Sequence, residues 1–262
     1  MPYETIEGDP SSGIVLLCDH ARNTLPEEYG SLGLPAEEFE RHIAYDIGVE
    51  ALTHALAKRL GCPAVHSCFS RLLIDPNRGE DDPTIVMRLS DGTVVPGNHP
   101  ITTEEIRGRI ERFHAPYHRA IDDQLDACIE AGRNPLVLSI HSFTPVWRGA
   151  KRPWHGAILW DSDPRLNRFM IDGLRAHGNL IIGDNEPYDG ALKNDTMYRH
   201  CTQRGLAHSL IEVRQDLIAD EAGVQRWADI IAPLLELANM RPEMHEIVYY
   251  GSRTDGTLKK ED

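Results

Sequence analysis

Short apolar runs alternate with amphipathic stretches along nearly the whole chain, and this alternation limits the fold more than any other feature. Ile14–Cys18, Ala64–His66, Leu72–Ile74, Pro135–Ile140, Ala157–Trp160, Leu180–Ile182 and Leu206–Val213 each read as a buried strand. Between them, helical periodicity is expected over Glu37–Leu60, from Thr103 to about Ala131, over Pro164–His177 and over Glu221–Met240. Glu80–Pro100, rich in Asp, Gly and Pro, reads as a long surface loop. Strands that alternate with helices pair largely in parallel, because a helix supplies the crossover a parallel pair needs. The expectation is one α/β domain over residues 1–250 with a mixed, largely parallel central sheet, and a polar tail over residues 251–262.

The chain of 262 residues is long enough to bury a core without disulfide staples. Its formal net charge of −14 argues against nucleic acid or an anionic membrane as partner, though local basic pockets remain open. No apolar run is long enough to span a membrane, and the Met1-Pro2-Tyr3-Glu4-Thr5 start is unlike a signal peptide. Five cysteines without a Cys-x-x-Cys pair suit reduced thiols, so a cytoplasmic location is expected. Thirteen histidines invite a search for a metal site.

Ligands of open α/β sheets gather at the carboxyl ends of the strands. Three such ends carry reactive side chains: Asp19-His20, His141-Ser142 and Glu212. A histidine there is either a core imidazole satisfied by a backbone carbonyl or a metal ligand. Two of them, His20 and His141, at equivalent places favour a shared ligand. Catalytic zinc takes about three protein ligands. Asp46 is a candidate third, placed early in the 37–60 helix on the face of His42; it also reads as an ordinary helix charge. His114 and His118 are four apart, but Pro116 lies between them and no carboxylate adjoins, which argues against metal there.

Glu212 interrupts the apolar run around Ile211 and Val213. A buried carboxylate is costly unless paired, so it reads as an arginine's partner or as a general base. Arg71 and Asp75-Pro76-Asn77-Arg78 read as a carboxylate clamp or as a surface turn. Asp184-Asn185-Glu186-Pro187-Tyr188 reads as pocket lining or as a turn. Zincin, P-loop, dinucleotide-binding and Gly-x-Ser-x-Gly signatures are missing; His245-Glu246 has Tyr249 where a zincin has its second histidine.

Five segments in order resemble the N-formylglutamate amidohydrolase family over roughly residues 12–240: Cys18–Ala21, His42–Gly48, Ser70–Arg78, Asn185–Tyr188 and Ile211–Asp216. Ser139–Phe143 and Ile211–Arg214 are also similar to the zinc-histidine and catalytic-glutamate segments of zinc carboxypeptidases. The resemblance implies a three-layer, phosphorylase/hydrolase-like fold and zinc-dependent hydrolysis of an N-acyl amino acid, with N-formyl-L-glutamate giving formate and L-glutamate. It implies Zn2+ on His20 and His141 with Glu212 as general base; Asp46 is read as the third ligand and Arg71 as the group stabilising the oxyanion. Asn77, Arg78, Asn185 and Tyr188 would line the substrate pocket.

Two departures stand out. Carboxypeptidase-like sites have a glutamate three residues after the first histidine, where this chain has Asn23, so Asp46 stands in. His20 is followed by Ala21-Arg22 rather than Ser-Gly, which bears on the substrate. Alternatives are a related zinc amidase or carboxypeptidase acting on another acidic N-acyl compound or small peptide, and a binding protein that kept the fold without catalysis. His and Asp ligands also suit manganese, iron or cobalt.

Overall fold

The structure is a computed structural model that describes residues 1–256. Seven strands form the main sheet: β1 (Tyr3–Ile6), β2 (Ile14–Cys18), β3 (Ala64–Ser67), β4 (Leu136–Phe143), β5 (Gly156–Leu159), β6 (Ile182–Asp184) and β7 (His208–Arg214). Their spatial order is β1-β3-β2-β4-β7-β5-β6. The four central strands β3, β2, β4 and β7 run parallel. Strand β1 closes one edge antiparallel, and the parallel pair β5–β6 runs antiparallel to β7 on the other. The mixed, mostly parallel sheet is the one expected.

Helices α1 (Val49–Leu60), α2 (Thr103–Arg109), α3 (Ala115–Glu130), α4 (Arg165–Ala176), α5 (Thr196–His200) and α6 (Glu221–Asn239) complete the fold. A π turn over Ile110–His114 joins α2 to α3 in one continuous helical run. The two-residue period of the strands divides the core. Ile14, Leu16 and Cys18, with Leu136, Leu138 and Ile140, pack towards α1, α4 and α6. Val15, Leu17 and Val137 face the other way, towards Phe113, Tyr117, Ile121 and Leu125. Covered on both faces, β2 is apolar throughout and β4 opens with Leu136–Leu138, which makes both legible as apolar runs.

Several expected elements differ. The 37–60 helix is α-helical only from Val49; residues Ala36–Glu40 form a 3-10 turn and the chain between is irregular. Gly48 sets this break: its φ is +85°, and a Cβ there would meet the Ile218 carbonyl oxygen at 2.3 Å. Asp46 is therefore a loop residue and shares no helix face with His42. Leu72–Ile74 is buried but is no strand; Leu73 N–H donates to Ser70 and Asp75 N–H to Ile85, so its backbone is satisfied within loops. Strand β4 does not stop before His141 but pairs with β7 through Phe143. Strand β6 begins at Ile182 rather than Leu180. Edge strand β1 was not expected, since its half-exposed Tyr-Glu-Thr-Ile carries no apolar run.

The segment between β3 and α2 contains a short ribbon, Leu89–Ser90 with Thr93–Val94, and a 3-10 turn over Pro96–Asn98, and it buries Ile85, Val86, Val95 and Asn98. At the start of the expected tail, the Arg253 guanidinium donates to Asp189 and to the Trp160 carbonyl; residues 257–262 lie outside the described residues. Among the described residues, no helix is long and apolar enough to cross a membrane.

Candidate active site

The carboxyl ends of β2, β4 and β7 open into a cavity of about 390 Å³. Alternation along β4 turns His141 to the α3 side of the sheet, opposite Ile140. The same alternation along β7 turns Glu212 that way and Ile211 the other. His20 follows β2 directly, and the irregular loop before Gly48 brings Asp46 to the same place.

One nitrogen or oxygen each from His20, Asp46 and His141 falls within 4.8 Å of the others. His141 Nδ1 lies 2.9 Å from Asp46 Oδ2, and His20 Nδ1 lies 3.4 Å from the same oxygen. The second nitrogen of each ring meets another buried carboxylate: His20 Nε2 lies 2.7 Å from Asp75 Oδ1, and His141 Nε2 lies 3.0 Å from Asp19 Oδ2. Asp19 is itself held by Tyr117 Oη, Ser139 Oγ and Thr196 Oγ1. The two imidazoles meet edge to face, with ring centres 5.0 Å apart.

This is the donor chemistry of a divalent-cation site. A carboxylate on Nε2 fixes the N–H there and leaves the Nδ1 lone pair free for a metal. Without a cation, Nδ1 lone pairs would confront Asp46 Oδ2, so a proton has to fill the gap. Accordingly, although burial works against it, the hydrogen bonds His141 donates to Asp19 and Asp46 raise its pKa well above the usual value. The carboxyls of Asp19, Asp46 and Asp75 are correspondingly held below the usual range, despite burial, by their histidine and arginine neighbours. A cation can replace that proton. Asn23 is not part of the group; its amide donates to the Phe39 carbonyl.

Glu212 lies within the cavity wall, and its Oε2 is buried with no hydrogen-bond partner. Burial pushes its carboxyl up to about 7, with Asp46 adding to the rise. Arg71 donates from Nη2 to Asp75 Oδ2 at 2.7 Å and has Nη1 3.5 Å from Asp46 Oδ1. Its Nε has no hydrogen-bond partner. Asn77, Arg78 and Tyr188 line the cavity with them. Arg78 Nη1 donates to the Asn77 carbonyl, while Asn77 Oδ1 accepts from Thr196 N–H.

Asn185 corrects one expectation. It does not line the cavity. Its oxygen accepts from the Trp160 and Gly190 N–H groups and its amide donates to the Trp160 carbonyl. With φ at +54° it shapes the loop that presents Tyr188, a conformation asparagine tolerates. His114 and His118 pack beneath the Pro76–Arg78 loop, with His118 Nε2 3.0 Å from the Pro76 carbonyl and His114 Nε2 2.9 Å from that of Arg78.

Asp195 and Arg152 escaped the sequence, and Asp19 and Asp75 stood out there only as members of their segments, without a role. Asp19 and Asp75 orient the histidines; the signal was there, since each is an acidic residue flanking a buried segment. Asp195 lines the cavity and burial raises its carboxyl to about 7. Arg152 donates to Tyr188 Oη at 2.8 Å and is buried directly after the short strand Ala150–Lys151, in a segment with no apolar run to mark it.

Comparison with known proteins agrees with this architecture. The gene product Atu2144 of Agrobacterium tumefaciens is 31% identical, with a TM-score of 0.84 over 90% of this chain and 94% of that one. An N-formylglutamate amidohydrolase from Ralstonia eutropha JMP134 shares the fold, with a TM-score of 0.65 at 20% identity over 90% of this chain and 97% of its own. No curated protein sequence matches significantly. The sequence model described as N-formylglutamate amidohydrolase matches residues 12–219. With that match spanning most of the sheet and every residue of the His20–Asp46–His141–Glu212 cluster, the chain belongs to the N-formylglutamate amidohydrolase family.

Proposed function

We propose that this amidohydrolase cleaves the formyl amide of N-formyl-L-glutamate, releasing formate and L-glutamate, with Zn2+ held by His20, Asp46 and His141. One observation carries the reading: Glu212, a buried carboxylate with an unpartnered oxygen, stands in register with His141 beside a three-donor cation site. A divalent cation there supplies Lewis acidity, which lowers the pKa of water towards neutrality and polarises an amide carbonyl.

The chain's own groups do the rest. Glu212 takes the proton of the attacking water and later gives it to the leaving amine nitrogen. Its raised pKa suits both directions of transfer near neutral pH. Arg71 Nε, fixed beside the cluster by Asp75, donates to the oxyanion that forms on the formyl carbon. Arg78 and Asn77 hold a substrate carboxylate, and Tyr188 closes the pocket side. Binding the remote carboxylate fixes the scissile amide over Glu212, which removes orientational entropy before the chemical step.

The test is formate release from N-formyl-L-glutamate by protein of known metal content. Formate release that depends on bound metal supports the reading. Metal-dependent hydrolysis of other acidic N-acyl amino acids, without formate release, would instead favour a different acyl group. Tight amino-acid binding without any turnover would favour a binding protein.

A further inference from the structure

A second group of donor atoms lies on the β1–β3 edge, outside the cavity. His66 is fully buried in β3. Its Nδ1 lies 3.2 Å from the Ser67 carbonyl oxygen. That contact is favourable only for an N–H, so the proton sits on Nδ1 and Nε2 carries a lone pair. Nε2 has no hydrogen-bond partner. It faces Glu4 Oε2 at 3.9 Å, across the antiparallel register that sets Glu4 opposite His66. Two electron-pair donors pointed at each other repel unless a proton or a cation lies between them.

His54, from α1, completes the group. Its ring centre is 5.6 Å from that of His66, and one donor atom each from Glu4, His54 and His66 falls within 4.8 Å of the others. We infer that this trio is a second divalent-cation site, separate from the His20–Asp46–His141 group and suited to Zn2+. Bonds of about 2.0–2.1 Å put tetrahedral donors roughly 3.3 Å apart. Glu4 and His54 are exposed and close the remaining gap by side-chain rotation towards the fixed His66.

The surroundings suit a cation. Arg22 Nη2 donates to the same Glu4 Oε2 at 2.8 Å but is shared with Glu50. Two carboxylates around one guanidinium leave negative charge for an ion to neutralise. The Nδ1 contact with a carbonyl is the orienting bond that metal-binding histidines usually make. The site ties the edge strand β1 to β3 and α1, so its effect is on the stability of that edge rather than on turnover.

Calorimetric titration of the metal-stripped full chain with Zn2+, paired with thermal melts, tests this. Wild type should bind two equivalents. His54→Gln and Glu4→Gln, both at exposed positions, should bind one and keep wild-type amide hydrolysis. In Asp46→Ala, Zn2+ should still raise Tm, and adding His54→Gln should abolish that rise. One equivalent in wild type that Asp46→Ala removes would overturn the inference. So would two equivalents retained in both His54→Gln and Glu4→Gln. One equivalent lost in His54→Gln but kept in Asp46→Ala would uphold this site and count against zinc in the cleft.

Discussion

Glu212 and His141 are register partners on adjacent parallel strands, so the proposed base and a proposed metal ligand share one face of the sheet by backbone pairing. Their spacing is set by the sheet ladder, not by a flexible loop. A ladder-borne pair stays aligned while the surrounding loops move, which is how a preorganised site avoids reorganisation during reaction.

Replacing the carboxylate tests the base. Glu212→Gln should keep the fold and the bound metal while kcat falls by about 10²–10⁴-fold. Metal analysis and turnover on one preparation check it. Near wild-type kcat at full metal occupancy would remove Glu212 from proton transfer.

The carboxylates behind the histidines should matter nearly as much as the ligands. Asp75→Asn and Asp19→Asn each weaken the N–H acceptor on a metal-facing imidazole. Each should weaken metal binding by about 10–100-fold. Competition against a chelator of known affinity measures this, and unchanged affinity in both would show that these bonds do not tune the site.

Two arginines should separate kinetically. Arg78→Ala removes a charge-assisted bond to substrate, about 1.5–3 kcal/mol, and should raise KM by roughly 10–100-fold with kcat little changed. Arg71→Ala should lower kcat instead, because its donor serves the transition state. Steady-state kinetics of both variants decide, and an unchanged KM for Arg78→Ala would take it out of the clamp.

Asp195 should couple stability to pH. Its carboxyl titrates at about 7 when folded, raised by burial, against about 3.9 when unfolded. Between those values the folded chain keeps a proton that the unfolded chain has lost. Stability therefore falls as pH rises from about 4 to about 7 and is level above. Asp195→Asn retains an oxygen for the Tyr198 N–H that caps α5. It should exceed wild type on the order of 1–3 kcal/mol at pH 8 and match it near pH 4. Urea melts at the two pH values check this; an offset independent of pH would clear Asp195 of the titration.

Gly48→Ala should be costly, because the site needs φ at +85° and a Cβ would strike the Ile218 carbonyl oxygen. A loss above about 1 kcal/mol is expected. Asp46 lies just upstream, so metal affinity should fall as well. A variant as stable as wild type would show that the α1 start can shift.

The legible parts of the sequence were those with local causes. Ile14–Cys18 and the Leu136–Ile140 part of β4 announce themselves because strands buried on both faces carry near-continuous apolar runs. His20, His141 and Glu212 stood out as polar residues at or inside such runs. Asp46 reads from the sequence as a helix residue because Phe39 and Ile43 fit the same spacing as the true helix, which extends the periodicity back over a loop. Asn185 misled because a polar residue in a turn looks alike whether it faces substrate or bonds its own loop.

Chain order and side-chain chemistry thus determined the fold class, the strand ends that matter and the family. Tertiary structure alone decided that Asp75 and Asp19 stand behind the two histidines and that Glu4 meets His66. Those partners are far apart in sequence or sit across an edge pairing, and no local periodicity encodes a distance that only the sheet register and loop closure create.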